Sequence, residues 1–333
     1  MSLKGAVAVT EANNDPFDRW YAPPIGRETV KSLLKRNNGQ GIKYFLAWVL
    51  LCSASGYLVY LSQGTAMLFP AMVLYGVFLG FSYPASHECA HGTAFKSRWL
   101  NESVFWITSV VFMQEPTYRR YSHSSHHTYT WFEGKDPQKP YGNPVSLWTY
   151  IRHTSGLAMP IQALLTMGRI AFGKLNSQER EFTPKTEVRN LIFGARAMLS
   201  IYGGLVVSGI VFQTAAPFIY FFVPRFIGGW PMNLYINTQH MCMAENVEDH
   251  RYSTRTIKCN WLERLLYWNM NYHIEHHMFP TVPFHSLWAL REEIQQHLPV
   301  ATNSVLSVNR QILEAITRQK SYPAYSIPPV FRD

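Results

Sequence analysis

The chain has 333 residues and a formal net charge of +9, with 15% charged and 47% hydrophobic residues. Soluble globular proteins usually carry about 25% charged residues, and the high apolar content excludes an intrinsically disordered chain. The four cysteines, at positions 52, 89, 242 and 259, show no regular spacing, which excludes a disulfide-stapled secreted scaffold.

Two long uncharged runs, 44–86 and 197–224, predict membrane-spanning helices. The first is long enough for two crossings of about 20 residues and divides at the polar turn 62–65. With its flanks, the second run reads as two more crossings. Arg196 and Arg225 lie inside or at the edges of that pair, where an arginine normally snorkels, pairs or faces the bundle interior. Buried soluble helices are the less favoured alternative. The predicted spans are Tyr44–Leu61, Ala66–Pro84, 191–212 and 216–239.

Lysines and arginines precede the first span and are absent from the turns within the uncharged runs. This asymmetry predicts a multi-pass protein with its N-terminus, C-terminus and active site in the cytoplasm. The apolar segment Ser103–Met113 is too short to cross and is expected to form a re-entrant or interfacial helix. Two amphipathic patterns, Leu287–Leu298 and Val305–Gln319, predict helices in the tail.

The expected fold is therefore an all-α integral membrane protein. It has four transmembrane helices, one re-entrant or interfacial helix, and a helical cytoplasmic cap that holds a metal site. We divide the chain into a cytoplasmic N-terminal segment (1–43), a core of spans and histidine clusters (44–283), and a cytoplasmic C-terminal helical tail (284–333).

Eight of the 13 histidines fall in three clusters with the spacings HxxxH, HxxHH and HxxHH. On a helix, positions i, i+3 and i+4 share one face, so each cluster presents its imidazoles together. Imidazole is a ligand for iron, zinc, copper and nickel. Eight donors exceed what one tetrahedral zinc ion uses and fit two metal ions. The clustered residues are His87 and His91; His123, His126 and His127; and His273, His276 and His277.

Two other functions are compatible with parts of this pattern. The segment from His87 to His91 matches H-E-x-x-H, so an intramembrane zinc metalloprotease with Glu88 as its general base is one alternative. It would leave both HxxHH clusters without a role. A non-enzymatic receptor or metal carrier with a histidine-lined site is another alternative.

The ordered clusters around paired spans resemble the membrane fatty acid desaturase/hydroxylase superfamily, over about residues 44–285. This resemblance implies a non-haem di-iron centre that uses O2 and two electrons to desaturate or hydroxylate an unactivated C–H unit of an aliphatic, lipid-like or amphipathic substrate. It implies that the eight clustered histidines bind iron, with no catalytic residue beyond the ligands. A further ligand is expected before the third cluster; His240 is preferred and His250 is the other candidate.

Two runs, 268–280 and 245–256, are similar to a bacterial subgroup associated with rhizopine catabolism and dihydrorhizobitoxine desaturation. The substrates of that subgroup need not be fatty acids. No haem-binding, dinucleotide-binding or iron–sulfur pattern is visible. We therefore expect no bound haem or flavin, and an external electron donor of the ferredoxin, rubredoxin or cytochrome b5 type with its reductase. Membrane lipid is an expected partner, and nucleic acid is not.

Carboxylates near the clusters are candidates to hydrogen-bond the imidazoles and fix their orientation. These are Glu88, Glu115, Asp136, Glu245, Asp249 and Glu275. The stretch around Asp136 also reads more simply as a turn. We interpret His153, His285 and His297 as structural or solvated, and Cys89 as a small packed residue.

Overall fold

The computed structural model describes residues 20–332, and within that range the chain is helical without a β-strand. The prediction of an all-helical chain is confirmed. The first ten helices are α1 Arg27–Leu33, α2 Asn38–Leu61, α3 Leu68–Gly80, α4 Ser82–Ala90, α5 Arg98–Phe112, α6 Pro116–Thr128, α7 Leu147–Thr154, α8 Ala158–Ala171, α9 Ser177–Phe182 and α10 Val188–Val211. The remaining helices are α11 Val223–Ile227, α12 Trp230–His240, α13 His250–Ser253, α14 Trp261–Leu266, α15 His273–Met278, α16 Leu287–Ile294 and α17 Val305–Gln319.

Three helical stretches among the described residues are long and apolar enough to cross a membrane: Asn38–Leu61, Leu68–Ala90 and Val188–Val211. They overlap the first three predicted spans. The predicted fourth span, 216–239, is not one continuous helix. A π-helix, Phe218–Phe222, leads into α11, and Gly228 and Gly229 separate α11 from α12. The fourth crossing therefore stays a prediction.

The interrupted segment packs backbone against backbone on α3. A Cβ atom added to Gly76 would lie 1.9 Å from the carbonyl oxygen of Pro224, and one added to Gly228 would lie 2.5 Å from the Cα of Gly76. Arg225 of α11 is buried, lies 4.8 Å from the ring centroid of Phe112, and donates to the Phe112 carbonyl. It faces the protein interior, which is one of the arrangements expected of an intramembrane arginine.

Helix α5 contains the predicted Ser103–Met113 segment and begins earlier, at Arg98. It packs against α4, and Met113 adopts a left-handed conformation (φ 66°) that ends it. Glu115 then caps α6, because its carboxylate accepts a hydrogen bond from the amide of Tyr118 at 2.5 Å. This short turn places the second histidine cluster of α6 beside the first cluster of α4.

The two tail helices occur where the sequence predicts them, with 3-10 residues Gln295–His297 completing the first. Both bury an apolar face: α16 packs on α15 through Leu287 and Leu290, and α17 packs on α12 through Val308 and Ile312. The tail thus contributes to the support of the helices that carry the third cluster and His240.

Candidate metal centre

The histidine clusters lie at the ends of short helices that converge on one buried volume. The first cluster ends α4, the second occupies the last turns of α6, and the third forms most of α15. His240 is the last residue of α12. All nine predicted ligands are brought into one set of neighbouring rings, and each is buried except His91, which is partly exposed.

The donor nitrogens divide into two groups, within each of which they lie within 4.8 Å of one another. One group contains five residues and the other three. His273 adjoins the smaller group, because its Nε2 lies 3.0 Å from Nε2 of His240 and 3.1 Å from Nε2 of His277. The larger group is His87, His91, His123, His127 and His276; the smaller group is His126, His240 and His277.

Hydrogen bonds on the far side of the rings fix the tautomers. Nδ1 of His126 lies 2.8 Å from a carboxylate oxygen of Asp136, and Nδ1 of His240 lies 2.9 Å from the Ser253 carbonyl. A carboxylate or a carbonyl can only accept, so both Nδ1 atoms carry the proton. The Nε2 atom of each ring therefore keeps a bare lone pair.

The same arrangement recurs in both groups. Nδ1 of His123 lies 3.0 Å from Oε1 of Gln138, whose amide nitrogen donates to Ser122. Nδ1 of His277 lies 3.1 Å from Oγ1 of Thr130, whose own hydrogen goes to the His126 carbonyl. In each group at least one imidazole is thus oriented with its Nε2 towards the other rings.

Bare nitrogen lone pairs about 3 Å apart repel one another unless a cation lies between them. With imidazole–metal bonds of about 2.1 Å, two ligands at a right angle place their nitrogens about 3.0 Å apart, whereas a tetrahedral angle gives about 3.4 Å. The spacings from His273 to His240 and His277 are 3.0 and 3.1 Å, and His123 and His127 are 3.1 Å apart. The donor set therefore fits metal ions with near-perpendicular ligands.

Electrostatics agree with this interpretation. Burial, reinforced by the neighbouring rings, holds the pKa of five cluster histidines well below their ordinary range, so they stay neutral as metal ligands must. These are His123, His127, His273, His276 and His277. Both ring nitrogens of His87 and of His276 are buried and have no hydrogen-bond partner among residues 20–332, which is costly for groups that hold no ion.

Of the six predicted carboxylate partners, Asp136 contacts a cluster histidine. Asp136, which the sequence pattern assigns to a turn, is 4% exposed, and its carboxylate also accepts hydrogen bonds from the amides of Trp131 and Gln138. The other five carboxylates bond elsewhere: Glu88 to Thr93 and Phe284, Glu115 to Tyr118, Glu245 to Lys139 and Asn143, Asp249 to Arg251, and Glu275 to Thr256 and Arg291.

Three hydrogen-bond partners of the histidine rings are not predicted from the sequence: Gln138, Thr130 and the Ser253 carbonyl. A neutral amide, a hydroxyl and a backbone oxygen carry no distinctive signal in a sequence.

The alternative ligand His250 lies outside both groups and stacks on Trp20, with ring centroids 4.0 Å apart. Cys89 packs in an apolar cluster, as expected.

A cavity of about 340 Å³ opens beside the centre. Four of the nine histidines line it: His123, His126, His240 and His273. Its other walls come from the α5–α6 turn and from α7, α8 and α12, and include Phe112, Met159, Ile236, Gln162 and Gln239. A small organic molecule in this cavity would lie beside histidines of both groups.

The sequence model of the fatty acid desaturase family matches residues 63–305, which is most of the chain. The chain belongs to the fatty acid desaturase family. The superfamily expected from the histidine clusters is thereby confirmed. Together with the three apolar helices, family membership indicates a membrane protein.

Several curated proteins are similar to this chain. The fatty acid conjugase FAC2 A of Calendula officinalis is 24% identical over 62% of this chain and 62% of its own length. The human sphingolipid delta(4)-desaturase/C4-monooxygenase DES2 is 26% identical over 64% of this chain and 61% of its own. Less than two thirds of these two relatives is matched. Dihydrorhizobitoxine desaturase of Bradyrhizobium elkanii is 24% identical over 82% of this chain and 80% of its own length.

Proposed function

We propose that the protein is an O2-dependent, non-haem di-iron oxidoreductase that desaturates or hydroxylates an aliphatic, lipid-like or amphipathic substrate. One observation carries the proposal: the imidazole nitrogens form two adjoining groups, and pairs of Nε2 atoms lie only 3.0–3.1 Å apart. Family membership and the similarity to desaturases and a monooxygenase support the same reaction class.

In this proposal the larger group holds one iron and the smaller group, with His273, holds the other. Nine histidines are the proposed ligands, including His240 and excluding His250. When bound, the two ions supply the ability to activate O2 and to remove hydrogen from an unactivated C–H bond. The chain's own contribution is to hold the imidazoles in the correct orientation and tautomer, through Asp136, Gln138, Thr130 and the Ser253 carbonyl.

The reaction needs two electrons from outside the chain. Desaturation converts CH2–CH2, O2, two electrons and two protons into CH=CH and two waters. Hydroxylation converts C–H, O2, two electrons and two protons into C–OH and one water. We propose a small redox protein of the ferredoxin, rubredoxin or cytochrome b5 type, with its reductase, as the donor. The placement of the substrate's C–H bonds in the cavity decides between the two outcomes.

We further propose four crossings, with the interrupted α11–α12 segment as the fourth and the metal centre on the cytoplasmic side. The arginines and lysines that flank the apolar helices support this orientation. The proposed units remain the N-terminal segment 1–43, the core 44–283 and the tail 284–333.

The geometry does not favour the zinc protease. His87 and His91 belong to a five-histidine group, so they are not an isolated H-E-x-x-H pair. The Glu88 carboxylate, the would-be general base, accepts hydrogen bonds from Thr93 Oγ1 at 2.5 Å and from the Phe284 amide at 3.1 Å.

The test is reconstitution of the purified protein with ferredoxin, ferredoxin reductase and NADPH, over a panel of aliphatic acids, amino acid derivatives and acyl thioesters. The expected result is O2 consumption coupled to a product that has lost two hydrogens or gained one oxygen. His123→Ala should abolish it, whereas His297→Ala, a histidine outside the centre, should not. A protein that binds iron but consumes no O2 with any substrate would support a metal carrier and contradict the proposal.

A further inference from the structure

Arg119 is a buried cation for which residues 20–332 provide no hydrogen-bond partner, one helical turn before the second histidine cluster. Its side chain is on α6, four residues ahead of His123, and the residue is 4% exposed. Its Nε and Nη2 atoms are buried and have no hydrogen-bond partner among residues 20–332. The neighbouring Arg120 differs in this respect, because it pairs with Glu102 at 2.7 Å.

A buried charge of this kind destabilises the folded protein when it has no counter-ion, and buried arginines are normally paired. The contact found on Arg119 is a cation–π contact with the ring of Tyr83, 4.8 Å from its carbon Cζ to the centroid. That contact stabilises the charge only in part and leaves the donor edges of the guanidinium unsatisfied.

Arg119 lines the cavity that reaches the metal centre. The Tyr83 ring beneath it lines the same cavity and lies 5.9 Å from the ring of His87. Along α6, four residues separate Arg119 from His123, a rise of about 6 Å. A group held by Arg119 would therefore lie within a short molecule's length of the histidine nitrogens.

A hydrogen-bond acceptor of the cavity wall also lacks a partner among residues 20–332. The lining of the cavity includes Gln114, whose Oε1 is buried without a hydrogen-bond partner in the described chain. Arg119 and Gln114, both in the wall of this cavity, thus carry polar atoms that have no hydrogen-bond partner in the described chain.

We propose that Arg119 binds the carboxylate of a substrate that is a free acid, such as an amino or hydroxy acid, and so sets the distance from that carboxylate to the oxidised carbon. A guanidinium fork matches a carboxylate in a bidentate geometry. The Gln114 oxygen accepts from an amino or hydroxyl group near the carboxylate. This inference rests on the proposed function and names its substrate class.

The test is ligand binding to the purified, metal-loaded full-length protein, measured by isothermal titration without an electron donor. The probes are hexanoate, 2-aminohexanoate, methyl hexanoate and palmitoyl-CoA. Hexanoate and 2-aminohexanoate should bind, the amino acid more tightly, and the uncharged ester should not. Loss of one partner of a buried, hydrogen-bonded charge pair weakens binding by about thirty-fold or more, and that is the effect expected of Arg119→Gln.

Matched variants keep the result interpretable. Arg120→Gln removes the adjacent, paired arginine and should leave the Kd unchanged. Arg152→Gln removes an exposed arginine that lines the same cavity, so a loss confined to this variant would place the carboxylate at the cavity mouth and overturn the proposal. Because Arg119 has no hydrogen-bond partner among residues 20–332, Arg119→Gln should still fold and melt cooperatively without ligand; loss of the cooperative transition would show a structural role instead.

The outcomes separate this inference from the proposed function. Tight palmitoyl-CoA binding that is unaffected by Arg119→Gln, with no binding of hexanoate, would refute the inference while leaving the di-iron oxidoreductase intact. Arginine-dependent binding of hexanoate to a protein that never consumes O2 would refute the proposed function and leave the carboxylate site standing.

Discussion

Replacing Asp136 by asparagine is expected to weaken the smaller histidine group selectively. In the native chain one carboxylate oxygen accepts from Nδ1 of His126 and from the Trp131 amide, and the other accepts from the Gln138 amide. Asparagine has a single side-chain oxygen. In one orientation it loses the bond to Gln138; in the other its NH2 group faces Nδ1–H of His126 and disfavours the tautomer that leaves Nε2 free.

The size of the effect follows from burial and geometry. Asp136 is 4% exposed and the ring bond is 2.8 Å long, so water cannot replace the carboxylate. Outer hydrogen-bond partners of metal-bound histidines typically contribute 10- to 100-fold to metal affinity, or about 1.4–2.8 kcal/mol. His123, His127 and the rest of the larger group have no bond to Asp136, so their affinity should change little.

The assay is iron per chain after dialysis against graded concentrations of a chelator. Wild type should release its metal in a narrow range, whereas Asp136→Asn should lose about one equivalent at a 10- to 100-fold lower chelator concentration. Glu133→Gln, an exposed carboxylate three residues away, is the matched control and should follow wild type. Identical release curves for Asp136→Asn and wild type would refute the assignment of Asp136 to His126.

Three further results are expected. Gly76→Ala should lower the free energy of unfolding by about 1–3 kcal/mol, because the added Cβ would lie 1.9 Å from the Pro224 carbonyl oxygen. Gly204→Ala is the control, because a Cβ there meets open space. Equal thermal stability of the two variants would contradict the contact between α3 and the Pro224 backbone. Burial lowers the folded pKa of His123, His127 and His277 well below the ordinary value of about 6.5. Below pH 6.5 the unfolded chain therefore binds more protons than the folded chain, so the Tm of metal-free protein should be level above pH 6.5 and fall below it; a flat Tm from pH 7.5 to 5 would be the opposite result. Glu88→Gln should retain metal and O2-dependent turnover, because the Glu88 carboxylate bonds to Thr93 and the Phe284 amide and to no cluster histidine; a metal-loaded variant without turnover would contradict that assignment.

Features set by local geometry can be predicted from the sequence. The spacing of His123, His126 and His127 places three rings on one helical face in any folded context, and α6 presents them as expected. The uncharged run before Pro84 likewise requires an apolar helix. His240 could be preferred over His250 because it ends an apolar stretch, whereas His250 lies in a charged one. Of these two residues, the structure places His240 in a histidine group and His250 outside both.

Features set by tertiary contacts could not be predicted. The fourth predicted span is interrupted because Gly228 must approach the backbone of Gly76, a requirement that a count of uncharged residues does not register. Gln138 is an ordinary polar residue until the chain folds it onto His123. The sequence around Asp136 predicts a turn, because the local pattern indicates the backbone conformation and not the imidazole of His126 that the carboxylate contacts.

The measurement that tests the central claim most directly is iron per chain in protein produced with ample iron and purified rapidly in detergent. The account predicts about two iron ions per chain in wild type, and markedly less in His123→Ala and His277→Ala, which remove one member from each group. One zinc ion and no iron in wild type, unchanged in both variants, would contradict it.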